Sequence, residues 1–561
     1  MSIFDPAMDT QARPSRSKYR PTKQLSFELR EHCGVYFEEQ LYCHGLNLLL
    51  SLLSSGSATP DAPVPSPPPE FLAVAATIVV HPSTTTRAKS ADNKQAANIA
   101  LQLLRLTNSL VGPLAANFDA AFTFTHFTKS RSGARRAVAD DGAEKPMEKE
   151  ALNFELAHRG ALWSRAEDFW HVVGWAFNCA VLHPSRWPRW RLLLEFLCEA
   201  LEADWRERMR LVVELERDPE GETAVRAECE RILCGSLIYQ YYKATSGVSS
   251  PDRRMMRAIF ADGTPGSTNE FREVFHKELL ELKEETAKPR KREVNVNIDE
   301  EIYGDYLEWD VDDDESDSVR NELRETLPTR PKRQRTTKAR HAGNDDVDKN
   351  YDLLNRACSE NLTMLGDLDS LALRQRFLAI ISRVSASIPD HFMSVDRLYL
   401  LYVDFIRHLP LPIFQVFVSP SVLCQFSVDA QTTLCEMLLE RLCESRKPTC
   451  REPYLTQDKL ELDFLPYAAS TSDTIDNARM SILLESVLRL LAASGLLQGG
   501  PSLKEAVEMG IEARAEKALK DTKIGQSKMK AEEFGWTWLI ESGERLTCLV
   551  ERVAPPEPPV E

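Results

Sequence analysis

The chain has 561 residues, a formal net charge of -16 at pH 7 and 43% hydrophobic residues. This length allows two or three domains with their own cores, and the negative charge excludes bulk electrostatic binding to nucleic acid or anionic membranes. The 12 cysteines follow no disulfide or zinc-finger spacing, which is typical of free thiols in a reducing compartment. The N-terminus has no apolar signal segment, and the best apolar run is much shorter than the about 20 residues of a membrane span. We therefore expect a soluble intracellular protein.

In the first part of the chain, the sequence pattern predicts a disordered tail at residues 1–25 and a helical module at residues 26–285. Apolar residues recur at helical spacing in this module, which is interrupted by predicted loops at 54–69 and 128–148. Ser90 is placed to cap one helix, and Gly112 followed by Pro113 predicts its end.

A tryptophan-rich region follows at residues 162–209, where six of the nine tryptophans lie. Ser164 and Glu167 have the spacing of a capping box, which predicts a helix start just before an apolar run. The tryptophans could form a ligand box or a stacking platform for bases, but their helical spacing among leucines favours core packing.

Residues 286–348, which we call the arm, predict disorder because they cannot bury enough apolar surface to offset their ordering entropy. Two basic clusters predict nuclear import signals, although a solvated charge run or a phosphate contact would have the same composition. The import residues are Lys288, Arg290, Lys291, Arg292, Lys332, Arg333 and Arg335. Between the clusters lies an acidic run, and its apolar residues predict a binding peptide for a basic partner. The alternative is that the run is only a solubilising acidic linker. The apolar residues are Ile302, Tyr303, Tyr306, Leu307 and Trp309.

A second helical module is predicted at residues 349–551, followed by a proline-rich tail at 552–561. Alternating, β-branched runs are scarce throughout the chain. We therefore predict an all-α protein, built either as an irregular helical repeat of the α-solenoid (HEAT-like) kind or as a helical bundle. Its two modules would be joined by a disordered acidic and basic arm.

The sequence contains no phosphate-binding loop, nucleophile elbow, kinase signature or zinc-protease motif, so we predict no enzyme, cofactor or metal. His171 lies four residues after Glu167 and could be a general base, but a core histidine held by hydrogen bonds is the commoner case. Ser250 precedes Pro251 in a predicted loop, which makes it a possible phosphorylation site.

These patterns predict a non-catalytic helical scaffold or adaptor subunit in the nucleus, in a chromatin-associated assembly, which binds partner proteins through helical grooves and through the acidic-aromatic arm. Its partners would be proteins, with histones or another basic protein bound by the acidic-aromatic arm, and it would not bind membranes. The alternative is a nucleic-acid-binding protein that holds phosphates with basic loops at residues 129–136, 288–292 and 330–340.

Overall fold

The computed structural model describes residues 19–55, 62–125, 152–217, 222–245, 250–280, 363–420, 426–443, 455–520 and 529–553. We call the described residues up to 280 the N-terminal range and those from 363 onward the C-terminal range.

The N-terminal range contains twelve helices in its described residues, which we number in chain order. They are α1 (Phe27–Glu38), α2 (Tyr42–Ser55), α3 (Pro69–Val80), α4 (Ala91–Leu110), α5 (Phe118–Ala121), α6 (Leu162–Arg165), α7 (Phe169–Leu182), α8 (Trp187–Glu216), α9 (Glu222–Cys234), α10 (Leu237–Ala244), α11 (Pro251–Ile259) and α12 (Pro265–Glu270).

The C-terminal range contains eight more helices in the part that is described. They are α13 (Leu368–Ser387), α14 (Val395–Ile406), α15 (Leu411–Val418), α16 (Val428–Leu442), α17 (Gln457–Asp463), α18 (Thr474–Ala493), α19 (Pro501–Leu519) and α20 (Met529–Val553). The prediction of an all-α protein is thereby confirmed. The strands among the described residues are two three-residue segments, β1 (Thr22–Gln24) and β2 (Val64–Ser66), which pair in parallel.

One of the two predicted helix caps is confirmed and the other is wrong. The Ser90 side chain accepts a hydrogen bond from Asn93 N at the start of α4, and Gly112 follows the helix with φ +81. Ser164, however, lies inside the short helix α6, and Asp168 caps α7 by accepting a hydrogen bond from His171 N. The extended backbone of Ala166, with ψ 143, ends α6 and leaves the capping position to Asp168.

The tryptophan-rich region forms core, as its spacing predicts. All six of its tryptophans are buried, and Trp170 and Trp190 have no exposed surface. α7 is apolar on nearly every side and lies against α8, α11 and α12, so its residues from Phe169 to Cys179 are buried all round the helix.

The N-terminal and C-terminal ranges pack against each other. The described residues of both ranges belong to one compact unit, and α13 packs along α8 while α14 packs on α11. The boundaries of the two sequence-predicted modules stay a prediction, but the helices assigned to them share one continuous hydrophobic core. Among the described helices, none is both long and apolar enough to cross a membrane.

Candidate arm-anchoring site

The predicted import residues, the arm's apolar residues and the basic loops all lie outside the described residues. The structure does describe the residues just before residue 281 and just after residue 362, and the contacts that hold them. We call the residues that make these contacts the neck: Arg186, Trp187, Trp190, Glu278 and Asp367.

The chain is fixed before residue 281 by Glu278, whose side chain is fully buried. One carboxylate oxygen accepts hydrogen bonds from Arg186 Nε at 2.8 Å and from Trp190 Nε1 at 2.7 Å. The other oxygen accepts hydrogen bonds from Trp175 Nε1 at 3.1 Å and from Phe275 N at 3.3 Å. Lys277, the residue before Glu278, has φ 56 and lies in the left-handed region of backbone conformation.

The electrostatics of this pair depend on its burial. Removal from water raises the pKa of Glu278, and the Arg186 guanidinium together with the Trp190 and Phe275 N–H donors opposes that shift. Arg186 also donates to Thr85 Oγ1 at 2.7 Å and to Val80 O at 2.5 Å, so its donors are satisfied on three sides. A buried ion pair of this kind is costly to break, because either partner alone would be an uncompensated buried charge.

The chain is fixed again after residue 362 by Asp367. Trp187 Nε1 donates a hydrogen bond to Asp367 Oδ2 at 2.9 Å, and Asp367 Oδ1 caps α13 by accepting from Ser370 N at 2.8 Å. Arg186 and Trp187 are consecutive residues at the start of α8. The two points of attachment therefore lie beside each other, at one end of one helix.

Arg374 strengthens the second attachment. It has no exposed surface, donates to Ala261 O at 2.8 Å and Leu365 O at 3.2 Å, and also bonds to Ile259 O. Its guanidinium lies 4.1 Å from the centre of the Phe177 ring. Burial lowers the pKa of Arg374 to about 9, so the group remains a cation at neutral pH. The cation lies at the C-terminal end of α11, where the helix dipole favours it.

A cavity of about 360 Å³ lies next to this attachment, between the two ranges. Its walls are largely apolar, and its charged groups include Arg257 and Glu270, which are paired with each other at 2.6 and 2.9 Å. The apolar lining comes from Phe260, Ala261, Phe271, Met364, Leu365, Phe405 and Leu409. Such a cavity is suited to an apolar side chain or a small apolar group.

The two candidate chemical groups of the sequence, His171 and Ser250, differ in their contacts. The His171 ring accepts a hydrogen bond from Glu167 N at Nδ1 and donates from Nε2 to Arg272 O at 2.9 Å, so both nitrogens are used and the Glu167 carboxylate is not its partner. Ser250 is the residue before α11, and its side chain makes no capping hydrogen bond. Its place at the helix start is described, and phosphorylation there stays a prediction.

Sequence reasoning placed Trp187 and Trp190 in the core but did not find the other residues of the neck, Arg186, Glu278 and Asp367. Glu278 directly follows the polar pair His276 and Lys277, and Arg186 follows a proline turn, so the sequence around neither charge indicates that the charge itself is buried. The available signal was the local apolar spacing of Phe271, Val274 and Phe275 just ahead of Glu278.

No protein-family model matches this chain, and no curated protein matches it.

Proposed function

We propose that the protein is a non-catalytic nuclear scaffold or adaptor in a chromatin-associated assembly, in which an α-helical body presents the arm to protein partners. The body would be an irregular helical repeat or a helical bundle. Histones or another basic protein would bind the acidic-aromatic run, and the flanking basic clusters would direct nuclear import. The proposal involves no cofactor, metal or membrane.

The observation that supports this proposal is the neck. Glu278 and Asp367 are held by the consecutive residues Arg186 and Trp187, so the described residues that precede and follow residues 281–362 are attached at one end of one helix. A body that fixes both flanks keeps its own fold independent of what the intervening residues bind. This arrangement suits a protein whose recognition peptide lies in an internal segment rather than at a terminus.

The binding role is tested by replacing Tyr303, Tyr306 and Trp309 together by Ala. Every carboxylate remains in this variant, so it removes anchoring and keeps electrostatic steering. We expect capture of core histones, and of basic proteins from nuclear extract, to fall at least tenfold. Phe27→Ala is the control, because it removes an aromatic side chain that is 68% exposed on the body. Equal recovery by the triple variant and the wild type would exclude the arm as a binding peptide.

The import role is tested separately with a fluorescent fusion. Replacing the seven basic import residues by Ala should move the fusion from the nucleus to the cytoplasm. Unchanged nuclear accumulation would show that these clusters are not the import signal.

The nucleic-acid alternative predicts a different result. Basic loops that hold phosphates would bind duplex DNA with an affinity that falls steeply as salt rises. Salt-dependent DNA binding that is lost when residues 129–136, 288–292 and 330–340 are neutralised would favour that alternative over the scaffold.

A further inference from the structure

The N-terminal and C-terminal ranges meet through aromatic side chains with almost no exposed surface. The Phe377 ring on α13 lies 6.2 Å, centre to centre, from both Phe169 and Phe177 on α7. These three rings are at most 1% exposed, which makes them the centre of the contact between the ranges.

A second aromatic group extends the contact along α11 and α14. The Phe260 ring, just after α11, stacks on Phe405 at 5.3 Å and lies 5.6 Å from Phe417. At the end of α10, Tyr242 lies 4.4 Å from Phe392. The two ranges therefore share an apolar surface that spans several helices on each side.

Ion pairs surround this apolar centre. Arg376 on α13 forms a two-pronged pair with Glu202 on α8, with N–O distances of 2.7 and 2.8 Å. Arg191 pairs with Asp369, and Arg397 pairs with Asp252, and the Asp369 and Arg397 side chains are 58% and 69% exposed. An apolar centre with charged pairs at its edge is the arrangement of stable protein–protein interfaces.

Arg374 lies within the apolar centre, with no exposed surface and its guanidinium over the Phe177 ring. Its hydrogen bonds to Ile259 O and Ala261 O place a cation of the C-terminal range on backbone carbonyls of the N-terminal range. Ile259 is the last residue of α11 and Ala261 lies two residues beyond it. Separation of the ranges would leave both the guanidinium and these carbonyls without their partners.

From these contacts we infer that the surface formed by α7, α8, α10 and α11 is a binding site for residues 363–553, and that it holds them without a covalent connection. The chain between the ranges then only raises the effective concentration of one range near the other, and the contacts between the ranges supply the binding free energy. A protein cut within residues 281–362 remains one body made of two chains. This inference does not depend on the proposed function.

The test uses the full-length protein with a recognition sequence for a site-specific protease inserted between Ser318 and Val319. After complete cleavage, the two fragments should elute together in size-exclusion chromatography at about 1 μM, which requires a dissociation constant below that value. The denaturant midpoint of the cut protein should rise with protein concentration, whereas that of the uncut protein should not. Separate elution of the fragments in native buffer would overturn the inference.

Substitutions identify the surface. Arg374→Ala should raise the dissociation constant of the cut fragments at least tenfold, and Arg383→Ala, an exposed position on the same helix, should leave it unchanged. The uncut Arg374→Ala protein is measured in parallel, so that misfolding is distinguished from dissociation. If that variant does not fold, Arg376→Ala replaces it, with an expected increase of about threefold for a partly exposed pair. Equal dissociation constants for the Arg376 and Arg383 variants would then contradict the assigned surface.

Discussion

Two fully buried arginines, Arg186 in the N-terminal range and Arg514 in the C-terminal range, have different surroundings. In the neck, Arg186 faces the carboxylate of Glu278 and all of its guanidinium nitrogens have partners. On α19, Arg514 donates from Nη1 to Leu465 O and Tyr467 O, both at 3.2 Å, and faces no carboxylate at hydrogen-bond distance in the described part of the chain. Its Nε and Nη2 are buried and lack partners among those residues.

The comparison shows that a buried charge stabilises a fold through its partners and not through its presence. Burial lowers the pKa of Arg514 to about 10, so the group still carries its charge at neutral pH and bears the cost of desolvation. Arg186 bears the same cost, which its ion pair and hydrogen bonds offset. Removal of one charged group from the neck would therefore leave its partner's charge uncompensated. The charge of Arg514 already lacks a compensating carboxylate among the described residues.

The largest effect that the comparison predicts is for Glu278→Ala. This change leaves Arg186 buried without its anion and removes the acceptor of two tryptophan N–H groups. We expect a loss of about 3–5 kcal/mol in the free energy of unfolding, measured with urea and monitored by tryptophan fluorescence. Glu28→Ala is the exposed control and should change stability by less than about 0.5 kcal/mol. A loss below about 1 kcal/mol for Glu278→Ala would show that Glu278 does not neutralise Arg186.

The next effect is on the pH dependence of stability. Burial, together with the nearby Arg186 cation, lowers the pKa of His81 from about 6.5 to about 4. The unfolded chain takes up a proton below pH 6.5 and the folded protein does not, so stability should fall from pH 6.5 towards pH 4 by about 1.4 kcal/mol per unit from this group. His81→Gln should flatten the stability curve in that interval, and His276→Gln, which replaces an exposed ring, is the control. Superimposable curves for wild type and His81→Gln would contradict the assignment.

Arg514→Met should have a smaller effect of the opposite sign. The substitution removes a desolvated charge and two buried donors without partners in the described part of the chain, and methionine keeps most of the apolar volume. It also removes the two 3.2 Å hydrogen bonds to Leu465 O and Tyr467 O, which limits the gain. We expect stability to be unchanged or to rise by up to about 2 kcal/mol, as found when buried ionic groups are replaced by apolar ones. Arg186→Met is the matched variant and should lose about 3 kcal/mol or more, because Glu278 then stays buried without its cation. Similar losses for both variants would remove the distinction between the two sites.

The smallest effect applies the same rule at two helix starts. Ser427 caps α16 by accepting a hydrogen bond from Ala430 N, whereas Ser394 precedes α14 without a capping side-chain hydrogen bond. Ser427→Ala should cost about 1 kcal/mol, and Ser394→Ala should cost less than about 0.5 kcal/mol, as measured by thermal unfolding. A larger loss for Ser394→Ala would show that the capping bond is not what distinguishes the two serines.

The sequence by itself determined the features that arise from neighbours along the chain. The spacing of Trp170 and Trp175 indicated burial, Ser90 indicated a helix start, and the scarcity of alternating runs indicated an all-α protein. These signals are local because helical hydrogen bonds and side-chain faces connect residues three or four positions apart. The capping assignment at Ser164 failed within the same range, since Asp168 lies a few residues further on and competes for the same role.

Only the tertiary structure shows that Glu278 and Asp367, on either side of residues 281–362, are attached to the same end of α8. Glu278 lies 92 residues from Arg186, and Asp367 lies 180 residues from Trp187. No sequence periodicity connects positions so far apart. From the sequence alone, a charged residue is expected to be solvent-exposed, and only the packing of distant helices shows that it is buried. A buried charge then needs a partner, because an unpaired carboxylate or guanidinium inside the core would destabilise the folded state by several kcal/mol. The identity of each partner depends on which helices pack together, and that is decided by the whole core.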